Sequence, residues 1–135
     1  MSFSDTQATG VLTNGKGLGT IVLAGAVSKG DALGYSGGWK RALATAGSVV
    51  QMRCIAAEDG VDGQSISVYF DSVIIDNRFT GGTAGAALYV AEGSDNGKYT
   101  ETAPSTSSDA TTKVGYVVSA TEAVLAPNHN VDSVA

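Results

Sequence analysis

Residues 64–70 read Gln64-Ser-Ile-Ser-Val-Tyr-Phe70, and the chain runs on as Asp71-Ser-Val-Ile-Ile-Asp76. Successive side chains of a strand point to opposite faces, so Ile66, Val68 and Phe70 share one face and Ser65, Ser67 and Tyr69 the other. The continuation stays β-branched but places Ile74 beside Ile75. That pattern predicts either a bulge or a strand buried on both faces.

The same period recurs along the chain. Leu88-Tyr-Val-Ala-Glu92 and Lys98-Tyr-Thr-Glu-Thr102 flank Gly93-Ser-Asp-Asn-Gly97, where Asn96-Gly97 supplies the positive φ of a tight hairpin turn. Further strands are predicted at Thr20 to Leu23, Asp31 to Tyr35, Trp39 to Leu43, Val49 to Ala56, Lys113 to Ser119 and Glu122 to Leu125. In the Gly-rich first half, glycine repeatedly interrupts any run long enough for an ordinary helix. The expected fold is all-β: a small compact β-barrel or β-sandwich-like domain of antiparallel hairpins over residues 20–126. Residues 1–19, rich in Gly, Ser and Thr, are expected to form an extended N-terminal arm that packs only when a partner receives it. Residues 127–135 read as a C-terminal tail, and the polar stretch Ala103 to Thr112 as an exposed loop.

A short internal echo is present. Gly30-Asp-Ala-Leu33 and Gly85-Ala-Ala-Leu88 are each followed by an aromatic, a glycine-bearing turn and a Lys-containing strand. It reads either as a duplication or as two hairpins drawn from the same turn chemistry.

The chain has 135 residues, the length of one domain. Ile, Leu, Phe, Met and Trp together are no more numerous than the 18 glycines, so the core is expected to be thin and completed by partner subunits. With 8 basic and 13 acidic residues the net charge is -5, and no basic cluster exceeds Lys40-Arg41. Nucleic-acid binding through phosphate neutralisation is not expected. No apolar run is long enough for a membrane helix, and the first residues carry no signal-peptide pattern, so no membrane partner is expected. A single cysteine, Cys54, makes no intrachain disulfide and fits synthesis in a reducing cytoplasm.

Several motifs suggest chemistry. Gly34-Tyr-Ser-Gly-Gly38 matches G-x-S-x-G, but a nucleophile elbow needs a strand entering a helix, and Tyr-Ser-Gly-Gly suits a hairpin turn. His129 is the only histidine. It lacks the convergent His and Cys ligands that zinc favours. Glu58-Asp59-Gly-Val-Asp62, Asp71 and Asp76 are too sparse for a calcium loop. Asn14-Gly-Lys-Gly-Leu-Gly19 lacks the phosphate-loop spacing. Cys54 alternates with apolar neighbours as a buried residue does. No enzyme activity, metal or cofactor is expected. Phe3, Trp39 and Phe79 sit beside glycines or polar residues, outside regular alternation. They read either as interface anchors, a role that favours aromatics, or as core; with Leu12 and Leu18 they are the expected interface residues.

Gly30-Asp-Ala-Leu33, Gly-Gly-Trp-Lys40, Gly63-Gln-Ser-Ile-Ser-Val-Tyr-Phe70, Thr83-Ala-Gly-Ala-Ala-Leu-Tyr-Val90 and Lys113-Val-Gly-Tyr-Val-Val-Ser-Ala120 together resemble the head decoration, or capsid cement, proteins of tailed bacteriophages. The resemblance spans about residues 27–126. It implies a virion protein made in the host cytoplasm, seated on the outer surface of the capsid, homotrimeric, and clamping the major capsid protein. The other reading is a tail or fibre β module that binds glycan through Trp39 and Tyr35.

Overall fold

In a computed structural model that describes residues 3–7 and 10–135, the alternation at Ile66 and Val68 belongs to a strand of 12 residues. Eleven strands form among the described residues: β1 (Ser4–Asp5), β2 (Val11–Val22), β3 (Ala32–Tyr35), β4 (Trp39–Arg41), β5 (Cys54–Ala56), β6 (Ser65–Asp76), β7 (Phe79–Thr80), β8 (Ala87–Val90), β9 (Tyr99–Thr100), β10 (Lys113–Val117) and β11 (Glu122–Leu125). All strand pairs are antiparallel. The main sheet runs β4-β3-β5-β6-β11-β10-β8-β9 and curls into a half-barrel. β2 pairs with β6 along that strand's second edge, and β1 pairs separately with β7. The all-β expectation is met.

Two apolar clusters fill this architecture. The larger contains Ile55, Val73, Ile75, Phe79, Leu88, Tyr99 and Leu125, and the smaller Ile21, Leu23, Leu33, Cys54, Ile66 and Val68. Neighbouring residues on β3 and β5 go to different clusters: Ala32 and Ile55 to the larger, Leu33, Cys54 and Ala56 to the smaller. This part of the sheet is therefore buried on both faces, which is why β5 carries no polar residue.

β6 joins the two clusters. Its buried positions are even (Ile66, Val68) in the first half and odd (Val73, Ile75) in the second. The change of parity is a bulge. Against β2, the pairs Leu18↔Tyr69, Lys16↔Ser72 and Thr13↔Ile74 leave Phe70-Asp71 as the extra residue on β6 and Asn14-Gly15 as the extra residue on β2. The bulge lies upstream of the adjacent isoleucines, which themselves alternate, Ile75 buried and Ile74 half-buried.

The internal echo is structural as well. Gly30 and Gly85 both adopt left-handed backbone, with φ of 88° and 86°. Asp31 N–H donates to Ser28 O and Ala86 N–H to Thr83 O, both at 3.0 Å, while Gly30 and Gly85 N–H donate to Ala56 O and Val117 O, both at 2.8 Å. Each half is a hairpin (β3-β4, β8-β9) whose first strand pairs with the next strand (β5, β10), which pairs in turn with a last one (β6, β11). β6 is shared: its first half ends one repeat and its second half begins the other.

The ends differ from expectation. Residues 11–19, expected in a free arm, belong to β2, whose pairing satisfies the N–H and C=O groups along one edge of β6. The glycines that suggested looseness make room for rings. A Cβ on Gly15 would fall within the Tyr69 ring, and one on Gly19 would meet the Phe70 ring. The tail also docks. Ser108 N–H donates to Val134 O at 2.9 Å and Thr111 N–H to Asp132 O at 2.9 Å.

Candidate interaction surface

The turn Ser36-Gly37-Gly38 closes the β3-β4 hairpin, with Gly37 at φ 68° and Ser36 N–H donating to Gly38 O at 3.0 Å. G-x-S-x-G is therefore a hairpin turn, with no helix after it. The register sets Tyr35 opposite Trp39, their rings edge to face at 5.4 Å. Trp39 meets Phe70 in the same manner at 6.3 Å. Tyr35 is 63 % exposed and Phe70 38 %, while Trp39 packs its inner side on the smaller cluster. Three aromatics thus form a ridge open to solvent, held by the rigid hairpin and by the Phe70 ring lying over Gly19.

β2 provides a second surface. Its outer positions Val11, Thr13, Lys16, Leu18, Thr20 and Val22 are all exposed, while Leu12, Gly19 and Ile21 turn inward. Leu18 is 70 % exposed, Val22 60 % and Val11 56 %. Its edge away from β6 pairs with no strand among the described residues.

The expected contact residues separate. Phe3 packs against Phe79 at 5.1 Å, and Phe79 is buried with its ring edge on Tyr99 at 5.7 Å. Phe79 belongs to the core and offers no surface in this chain. Leu12 packs on the larger cluster. Of the five, Leu18 and Trp39 lie on the two surfaces just described.

A buried charge network escaped the sequence reading. The Arg78 side chain is fully buried. Its Nε donates to Asp5 Oδ1 at 2.8 Å, Nη2 to Asp31 Oδ1 at 2.9 Å and to Gly97 O at 3.1 Å, and Nη1 to Lys29 O at 3.0 Å. Arg41 Nε donates to Asp31 Oδ2 at 2.7 Å. Asp5 Oδ2 accepts Tyr99 N–H at 2.9 Å, and the guanidinium lies 5.4 Å from the Tyr99 ring centre. Two cations and two carboxylates cancel. Burial acts to lower the Arg78 pKa, but the charges of Asp5 and Asp31 outweigh it and the net direction is up. The only sequence signal was charge at Asp5, Asp31 and Arg78, which are far apart in the chain.

Beside this network a cleft of ≈ 410 Å³ is lined by Phe3, Asp5, Glu92, Lys98, Tyr99 and Pro104. Cys54 is buried and its thiol is pushed up to about 12 by desolvation, which keeps it protonated. A scan of family models and searches of curated proteins and of solved structures find no match to this chain.

Proposed function

We propose that this chain is a structural virion protein that decorates the outside of a tailed-phage capsid and cements the major capsid protein shell, working as an oligomer. The observation that carries the reading is that the five stretches resembling the decoration proteins, from Gly30 to Ala120, lie on one continuous sheet and its turns. The rigid aromatic ridge Tyr35-Trp39-Phe70 fits the docking role, because aromatic anchors give large contact area at little side-chain entropy. Repetition over many shell sites then multiplies a modest affinity. The net charge of -5 favours the solubility of the unbound oligomer before it docks.

The test is co-sedimentation with expanded empty heads lacking their decoration protein. Saturable, stoichiometric binding is expected, weakened at least about tenfold when Tyr35 and Trp39 are both replaced by Ala. Heads that take up no protein overturn the reading. The ridge also favours a second reading, a glycan-binding tail or fibre module, since sugar faces stack on exposed aromatics. Specific hits on a glycan array, lost in the same double variant, favour it over the first.

A further inference from the structure

The β2 edge is long, unpaired and lightly guarded. Along its twelve residues the N–H and C=O groups not bonded to β6 point to the open side, with one charged side chain, Lys16, between Gly15 and Gly17; only beyond its end does Leu23 bridge to Trp39. Native sheets usually shorten, cover or charge such an edge, because it templates pairing with another chain. The other ends of the main sheet are β4, with three residues, and β9, with two. Among the described residues no other free edge matches β2 in length, so strand addition between copies joins β2 to β2.

The molecule already contains the template for that contact. β2 and β6 are both 12 residues long, pair antiparallel throughout, and carry their bulges at corresponding places, Asn14-Gly15 and Phe70-Asp71. Lys16 and Ser72 face one another at the centre of this nearly two-fold ribbon. A second copy of β2 is a strand of the same length with the same bulge.

We infer that two copies of the chain associate through β2, antiparallel about a two-fold axis, forming a continuous sheet β6-β2-β2-β6 across the dimer. The register carried over from the internal ribbon puts Val11 opposite Thr20 and Thr13 opposite Leu18 of the second copy. Outer-face residues then meet outer-face residues, and the exposed Leu18 and Val11 become diagonal neighbours. Lys16 falls on the two-fold axis against its own copy. Like charges directly opposite weaken such a ladder, so the dimer is predicted to tighten as salt screens them. The surface is separate from the aromatic ridge and does not depend on the capsid reading.

Sedimentation velocity of the full chain over a concentration series, in low and high salt, measures the association. A monomer–dimer equilibrium is expected, tighter in high salt. Lys16→Ser, which copies the Ser72 side of the internal ribbon, should tighten it up to about fivefold, and Leu18→Asp should weaken it. Both positions are exposed, so the fold should survive, which circular dichroism checks. Lys16→Cys should cross-link to a disulfide dimer on mild oxidation, because facing Cβ atoms lie about 5 Å apart. Buried Cys54 does not compete, and Val61→Cys, on an exposed loop, is the control. A chain that stays monomeric, a dimer indifferent to Leu18→Asp, or cross-linking as efficient at Val61 as at Lys16 overturns the inference. So does a trimer whose contacts leave β2 free.

Discussion

Arg78 ties together four distant parts of the chain from a fully buried position. A buried guanidinium is tolerated only when its charge and donors are matched, and here Asp5, Asp31 and two backbone carbonyls do so. Arg78→Met should cost about 3–5 kcal/mol, because it leaves buried Asp5 without a cation and Asp31 with Arg41 alone, and urea unfolding measures the loss. Arg78→Lys should recover only part of it, since one ammonium cannot reach the acceptors that the planar fork spans. Cys54 makes a prediction about alkali. Its folded thiol is held to about 12 from an ordinary 9.0, so above pH 9 the unfolded chain releases a proton that the folded chain keeps. Stability contributed by the neutral thiol is therefore full below pH 9 and lost as pH rises from 9 towards 12. Buried Tyr99, also raised chiefly by desolvation, adds to the decline at higher pH. Urea midpoints measured from pH 7 to 10.5 should fall above pH 9, and less steeply in Cys54→Ala. Folded protein should also resist thiol alkylation at pH 8. None of this was legible beyond Cys54's burial, which period-2 alternation predicted.

At the scale of elements, β2 shows how composition misleads. Its glycines resemble those of a loose arm, yet Gly15 and Gly19 are where the Tyr69 and Phe70 rings rest on the backbone. Gly19→Ala should displace Phe70 from Trp39. Trp39 is the only tryptophan, so a red shift of the emission at nearly unchanged stability reports the move. Removing residues 1–19 should do more than release an arm. It deletes β1, most of β2 and Asp5, leaves Arg78 short of a counter-ion, and exposes an edge of β6. The truncated chain should lose its cooperative unfolding transition by circular dichroism. The strands that alternate strongly, β6, β8 and β11, were legible because each buries every second position over a stretch. β1 and β7 were not, since two residues carry no period.

For the whole molecule, the two clusters share β3, β5 and β6, so neither unfolds without exposing the other. Calorimetry should give one transition, with van't Hoff and calorimetric enthalpies equal for the monomer. The repeat also becomes visible only at this scale. In sequence it is a four-residue echo. In space it is a shared strand order, matched turns and matched hydrogen bonds, because a fold conserves backbone pairing while side chains diverge. Of the candidate surface, Trp39 and Leu18 were readable as apolar residues outside regular alternation. Phe79 looked the same and is core, since sequence carries no record of which loose aromatic finds a cavity. Local sequence by itself determined the class of fold and its hairpins, set by side-chain period and turn chemistry over a few residues. The burial of Asp5 with Arg78, the capture of β2 by β6 and the free edge that results were decided by tertiary structure. Those features rest on pairings across more than forty residues, where only close packing determines which groups meet.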